Sequence, residues 1–67
     1  MKISYKPLFR LLLERDMSKM DLLKAAEIST TTLSKLGKNE PIKLEMIMKI
    51  CIALNCRIED VVEFVKA

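Results

Sequence analysis

Apolar residues recur at helical spacing through most of this chain. Leu8, Leu11 and Leu12, with the Phe9/Leu13 pair, predict a first helix from Pro7 to about Arg15. Pro7 suits its first position, where the N–H it lacks would go unpaired in any residue. Asp16 closes that helix and Met17 tucks in after it. Leu22, Leu23 and Ala26 predict a second helix from about Lys19 to Ala26. Ser18 precedes it with Asp21 three residues on, close to a capping box. Ile28, a lone apolar residue among polar ones, reads as a plug turning inward at a corner. Ser29 can cap a third helix, about Thr30 to Leu36, by accepting from the amide of Thr31 or Thr32. Gly37 to Pro41 is a clear loop, with Gly37 expected as a left-handed C-cap and Pro41 starting an extended connection. Leu44, Ile47, Ile50, Cys51 and Leu54 give an inward stripe for a fourth helix, with Lys43 a poor N-cap and Asn55 a cap for its end. A fifth helix is expected from near Ile58, with Glu59 and Asp60 in its first turn. Ile58, Val61, Val62 and Val65 should pack back from it.

Composition narrows the architecture. Sixty-seven residues with one Gly, no Trp and 51% hydrophobic content fit one small domain over residues 1–67. The expected fold is an all-α bundle packed with Leu, Ile, Val and Met. A core this small is marginal, so oligomerisation would help it. No apolar run approaches the ~20 residues of a membrane span, and MKISYKP does not read as a signal peptide, so a cytoplasmic protein is expected. With no His, acid–base catalysis would need a perturbed carboxylate or Lys in a cleft, and no such constellation is visible. An enzyme, a cofactor and a metal site are therefore not expected. Cys51 and Cys56 lack a CxxC spacing. They read as structural, Cys51 in the core and Cys56 half-buried, pointing in different directions.

Charge directs attention to the middle of the chain. The net charge is +3, but residues 1–43 hold nine basic residues against five acidic ones, and residues 44–67 hold three against four. On a helical wheel of the third helix, Leu36 and Ser29 fall on the same inward side as Leu33. Ser34, Lys38, Thr31 and Lys35 fall on the opposite side, with Thr30 at its edge. This outward face is hydroxyl-rich, basic and free of acid. Ser and Thr can donate or accept at base edges, and Lys can reach guanine or phosphate. The helix start adds free amides for phosphate. The alternative is an ordinary solvated surface, because three consecutive threonines make a poor helix and short helix–corner–helix units are common in packing.

Met17 to Lys38 resembles the phage-repressor (Cro/XRE-type) helix-turn-helix family through Ser18, Leu22, Ala26, Ile28, Ser29, Thr32, Leu33, Ser34 and Leu36. Leu44 to Val65 resembles the last two helices of its compact members. The resemblance implies a five-helix, lambda-repressor-like DNA-binding domain with its helix-turn-helix at helices 2 and 3. It implies double-stranded DNA as partner and a sequence-specific transcriptional regulator, a repressor on a two-fold operator. Thr30, Thr31, Ser34 and Lys35 would read base edges. Lys19, Ser29, Lys38, Asn39 and Lys43 would hold phosphates. There are departures: Glu27 stands where the family usually has Gly, and Leu12 and Gly37 replace a usual Arg–Glu pair.

Some apolar residues exceed what this core can bury. Met46, Met48, Ile52 and Phe64 fall off the predicted stripes, and exposed patches of this kind often mark partners. A homodimer through Met48, Ile52, Val62, Phe64 and Val65 is expected, against the alternative of scattered surface hydrophobes. The Lys2–Lys6 arm, with Ile3 and Tyr5 alternating, is expected to be loosely ordered. Its alternatives are an extended segment over the core, or a contact to DNA or a second subunit. A competing function is a protein-interaction or antitoxin-like module that binds through helices 4 and 5. Salt separates the two, because phosphate contacts weaken steeply with ionic strength and apolar association does not.

Overall fold

The computed structural model describes residues 1–67. A short strand, β1 (Lys2–Ser4), leads into α1 (Lys6–Glu14), α2 (Lys19–Ala26), α3 (Thr30–Gly37) and α4 (Leu44–Leu54). A single 3₁₀ turn (Ile58–Asp60) and a second strand, β2 (Glu63–Val65), complete the chain. The strands pair antiparallel, with Lys2 opposite Val65, Ile3 opposite Phe64 and Ser4 opposite Glu63.

The fold is therefore four helices with a two-stranded clasp, not five helices. The difference has a local part and a distant one. After Ile58 the amides of Val61 and Val62 both close on the Ile58 carbonyl, and Asp60 takes the Arg57 amide, so one turn satisfies the local backbone. Val61, Val62 and Val65 are β-branched and lose little by extending. The arm, expected to be loose, supplies the partner strand. Ser4 Oγ donates to Glu63 at 3.2 Å and accepts the Lys6 amide, so this buried hydroxyl is satisfied.

Tyr5, Leu8, Leu12, Leu22, Ala26, Ile28, Leu36, Ile47, Ile50, Leu54 and Val61 form the core, with α2 packed chiefly on α4. Fully burying a side chain such as Leu22, Leu36 or Ile50 contributes roughly 1.5–3 kcal/mol. Leu12, at the position where the family often places an Arg, fills core space instead. Three expected core residues are exposed: Leu13, Leu44 and Ile58. Leu44 lies four residues before Met48 and eight before Ile52, so at 3.6 residues per turn it belongs to the outer face of α4. Met46, expected off the core, packs against it.

Each helix ends in the same way. Asp16, Glu27, Asn39 and Asn55 all have positive φ, between 50° and 57°, and Gly37 does not. The residue after each donates its amide back across the last turn: Met17 to Leu12, Ile28 to Leu23, Glu40 to Lys35 and Cys56 to Cys51. This is the bond of a Schellman ending, and it normally brings the side chains of its two residues together. Gly37 is thus the last residue of α3, and Asn39 takes the left-handed position expected of it. The same geometry overturns the expectation that the cysteines diverge: the Cys56 amide closes on the Cys51 carbonyl at 3.0 Å, and the Cys51 thiol lies near enough to act on that of Cys56. Burial, then Cys51, pushes the Cys56 thiol up to about 11.

Candidate nucleic-acid interface

The corner between α2 and α3 is assembled from local bonds. Ser18 accepts the Asp21 amide at 3.1 Å, and Asp21 accepts the Ser18 amide at 2.8 Å. Those bonds to Ser18 hold the Asp21 carboxyl below the usual carboxylate range. Glu27 turns the chain left-handed, and Ile28 drops into the core beneath it. Ser29 then caps α3 by accepting the Thr32 amide at 3.1 Å, with its hydroxyl 3.2 Å from that of Thr32. Only Leu36 of α3 is fully buried; Thr32 and Leu33 are half-buried, with Leu33 against the core, and the other residues of the helix stand on the surface.

Thr30, Thr31, Ser34, Lys35 and Lys38 line one shallow depression of about 400 Å³. All four expected base readers are therefore together, with one expected phosphate ligand at their edge. Lys43 adjoins them: it shares a second depression with Thr32, Lys35, Ile42 and Met46, so Lys35 is the ridge between the two.

The other expected phosphate ligands are placed differently. Lys19 rests its ammonium 5.4 Å from the centre of the Phe9 ring, a cation–π contact across α1 and α2. The Ser29 hydroxyl is engaged in the cap of α3. Asn39 accepts the Tyr5 amide through Oδ1 at 3.0 Å and borders Met1, Lys2, Ile3, Pro41 and Phe64, on the side of the strands.

Two residues of the site were not foreseen. Tyr5 is buried and donates its hydroxyl to the Glu40 carbonyl at 2.7 Å, so the strand clasp holds the loop under α3. Burial raises the phenol above its ordinary range, partly offset by the Ile42 backbone. Glu40 lines the same depression as the readers, which brings an acidic residue to a face expected to carry none. Pro41 marked Glu40 as extended, but nothing local to it signalled the return of the chain toward Lys35.

This fold and surface define a small helix-turn-helix domain whose second helix is presented outward. A family model described as the Cro/C1-type HTH DNA-binding domain matches residues 8–67, and the chain belongs to that family. It is also similar to the crystal structure of the transcriptional regulator VanUg, at 41% identity and a TM-score of 0.94, covering 98% of this chain and 88% of that one. No protein of curated function matches it. No helix is long and apolar enough to cross a membrane.

Proposed function

We propose that the protein is a cytoplasmic transcriptional regulator that binds a two-fold operator as a homodimer and represses by occupying the promoter. One observation carries this reading: in a Cro/C1-type domain, the outward face of α3 gathers Thr30, Thr31, Ser34, Lys35 and Lys38 in one depression. With α3 in the major groove, Thr30, Thr31, Ser34 and Lys35 meet base edges. Lys38 and Lys43 flank them toward the phosphates, with Lys19, Ser29 and Asn39 as outlying backbone contacts. The dimer forms through Met48 and Ile52 on α4 with Val62, Phe64 and Val65 at the end of the chain, which sets half-sites about one helical turn, ~10 bp, apart. Selection of bound duplexes from a random pool at near-physiological salt tests this. Enrichment of a palindrome is expected. Salt-sensitive binding to every duplex without enrichment would contradict operator reading.

A second reading is favoured by a separate observation. Leu44, Met48 and Ile52, at 72%, 54% and 71% exposure, form a stripe along α4, and Phe64 is 70% exposed on β2. A protein-interaction or antitoxin-like module would use that surface for a different chain. Monomeric sedimentation at ten-micromolar protein, joined to a failed duplex selection, would favour it over the operator-binding dimer.

A further inference from the structure

We propose that Glu40 makes the α3 face specific for a G·C pair, with Lys35 meeting the guanine and Glu40 the cytosine. The inference rests on the groove-reading function proposed above and deepens it. Lys35 and Glu40 are the two residues joined by the Schellman bond that ends α3, at 2.9 Å from the Glu40 amide to the Lys35 carbonyl. Asn39 closes on Leu36 beside it at 3.3 Å. That ending returns the chain to the last turn of α3, and both residues line the same depression. Glu40 is also fixed from the other side, where its carbonyl accepts the Tyr5 hydroxyl. Its backbone is thus anchored at both ends, and the half-buried residue lines the depression that Thr30, Thr31, Ser34, Lys35 and Lys38 share.

A carboxylate on a surface facing DNA is repelled by phosphates, so it fits the complex where it meets a base amine. In the major groove, cytosine offers its N4 amine and guanine its O6 and N7 acceptors, and Glu and Lys are the matching side chains. One G·C pair displays both sets next to each other, and Lys35 and Glu40 border one depression. A face of Ser, Thr and Lys alone discriminates weakly, and Glu40 supplies the acceptor it otherwise lacks.

Random-duplex selection followed by competitive titration of wild type, Glu40→Gln and Glu40→Ala tests the assignment. Wild type should enrich G·C at one position per half-site. Glu40→Ala should lose roughly tenfold of the preference for that pair, while binding other duplexes at least as tightly. Glu40→Gln should shift the position toward adenine, which Gln reads through N6 and N7. All three should keep one thermal midpoint, because only backbone atoms of Glu40 are bonded. Unchanged base preference in both variants would overturn the role of Glu40 and leave groove reading standing. A wild type that enriches no sequence would overturn both.

Discussion

Glu27 is the most informative residue to perturb, because it holds a glycine's conformation without being one. Its φ of 55° and ψ of 44° are left-handed, and its side chain is exposed. An L-residue there is strained by roughly 1–2 kcal/mol. Glycine removes that strain but adds unfolded-state freedom of roughly 0.5–1 kcal/mol. Glu27→Gly should therefore stabilise the domain by about 0.5–1 kcal/mol, or about 2–8 °C in Tm for a domain of this size. The converse change is at Gly37, which is helical, lacks positive φ and has nothing within 4 Å of where a Cβ would stand. Gly37→Ala should also stabilise, by about 0.4–1 kcal/mol. If Gly37 were instead the left-handed cap its place in the sequence suggests, alanine would destabilise. Thermal and urea unfolding of both variants and their double mutant decide the matter. The sites lie at different helix ends, so the effects should add. A Glu27→Gly protein less stable than wild type, or a destabilised Gly37→Ala, would refute this account of the helix ends.

Other outcomes can be measured on the same material. Lys35→Ala should weaken operator binding by about 1–3 kcal/mol and relax one base position, whereas Lys38→Ala should weaken all sequences alike and reduce the salt slope by about one; duplex titration at several salt concentrations separates them. Tyr5→Phe removes the bond to Glu40 and should destabilise by about 0.5–1.5 kcal/mol in urea unfolding, with faster amide exchange at Glu40. Because the folded Asp21 carboxyl lies below its unfolded value, its stabilisation is present above the usual carboxylate range and fades as pH falls through the depressed folded value. Asp21→Asn should therefore remove part of the acid-side pH dependence, read as unfolding midpoints against pH. The Cys56 thiol, pushed up to about 11, should alkylate far more slowly at pH 8 than an unhindered thiol.

The parts of this fold legible in the sequence are those made by neighbours in the chain. Ser18 with Asp21, Ser29 with Thr32, the Ile28 plug and the Leu22/Ala26 face each depend on residues within one or two turns, and the wheel grouped the α3 face correctly. The parts that escaped depend on distant partners. Nothing between Ile58 and Val65 reveals a strand until Lys2–Ser4 offers unpaired backbone 59 or more positions away. Leu44 satisfies the helical period yet has no neighbour to bury it. Composition also misled at Gly37, where the glycine was given the turn that Asn39 makes. Glu40 was missed for a related reason: a residue beyond a helix rejoins that helix's face only when the left-handed turn is known.

The strand clasp sets an order of events on the molecule. Helices form from near neighbours, whereas β1 and β2 can meet only after the chain has come full circle, so closure of the two ends belongs to the late part of folding. The same ends are where opening requires least disruption. Tyr5 follows directly on β1 and holds both Asn39 and Glu40. Fraying that reaches Tyr5 therefore loosens both the edge of the α3 face and one corner of the core. The surface offered to a duplex is thus tied to the element that closes last and opens first, and a fragment reduced to its helices would lose both the brace beneath the loop and the core side chains of Tyr5 and Val61.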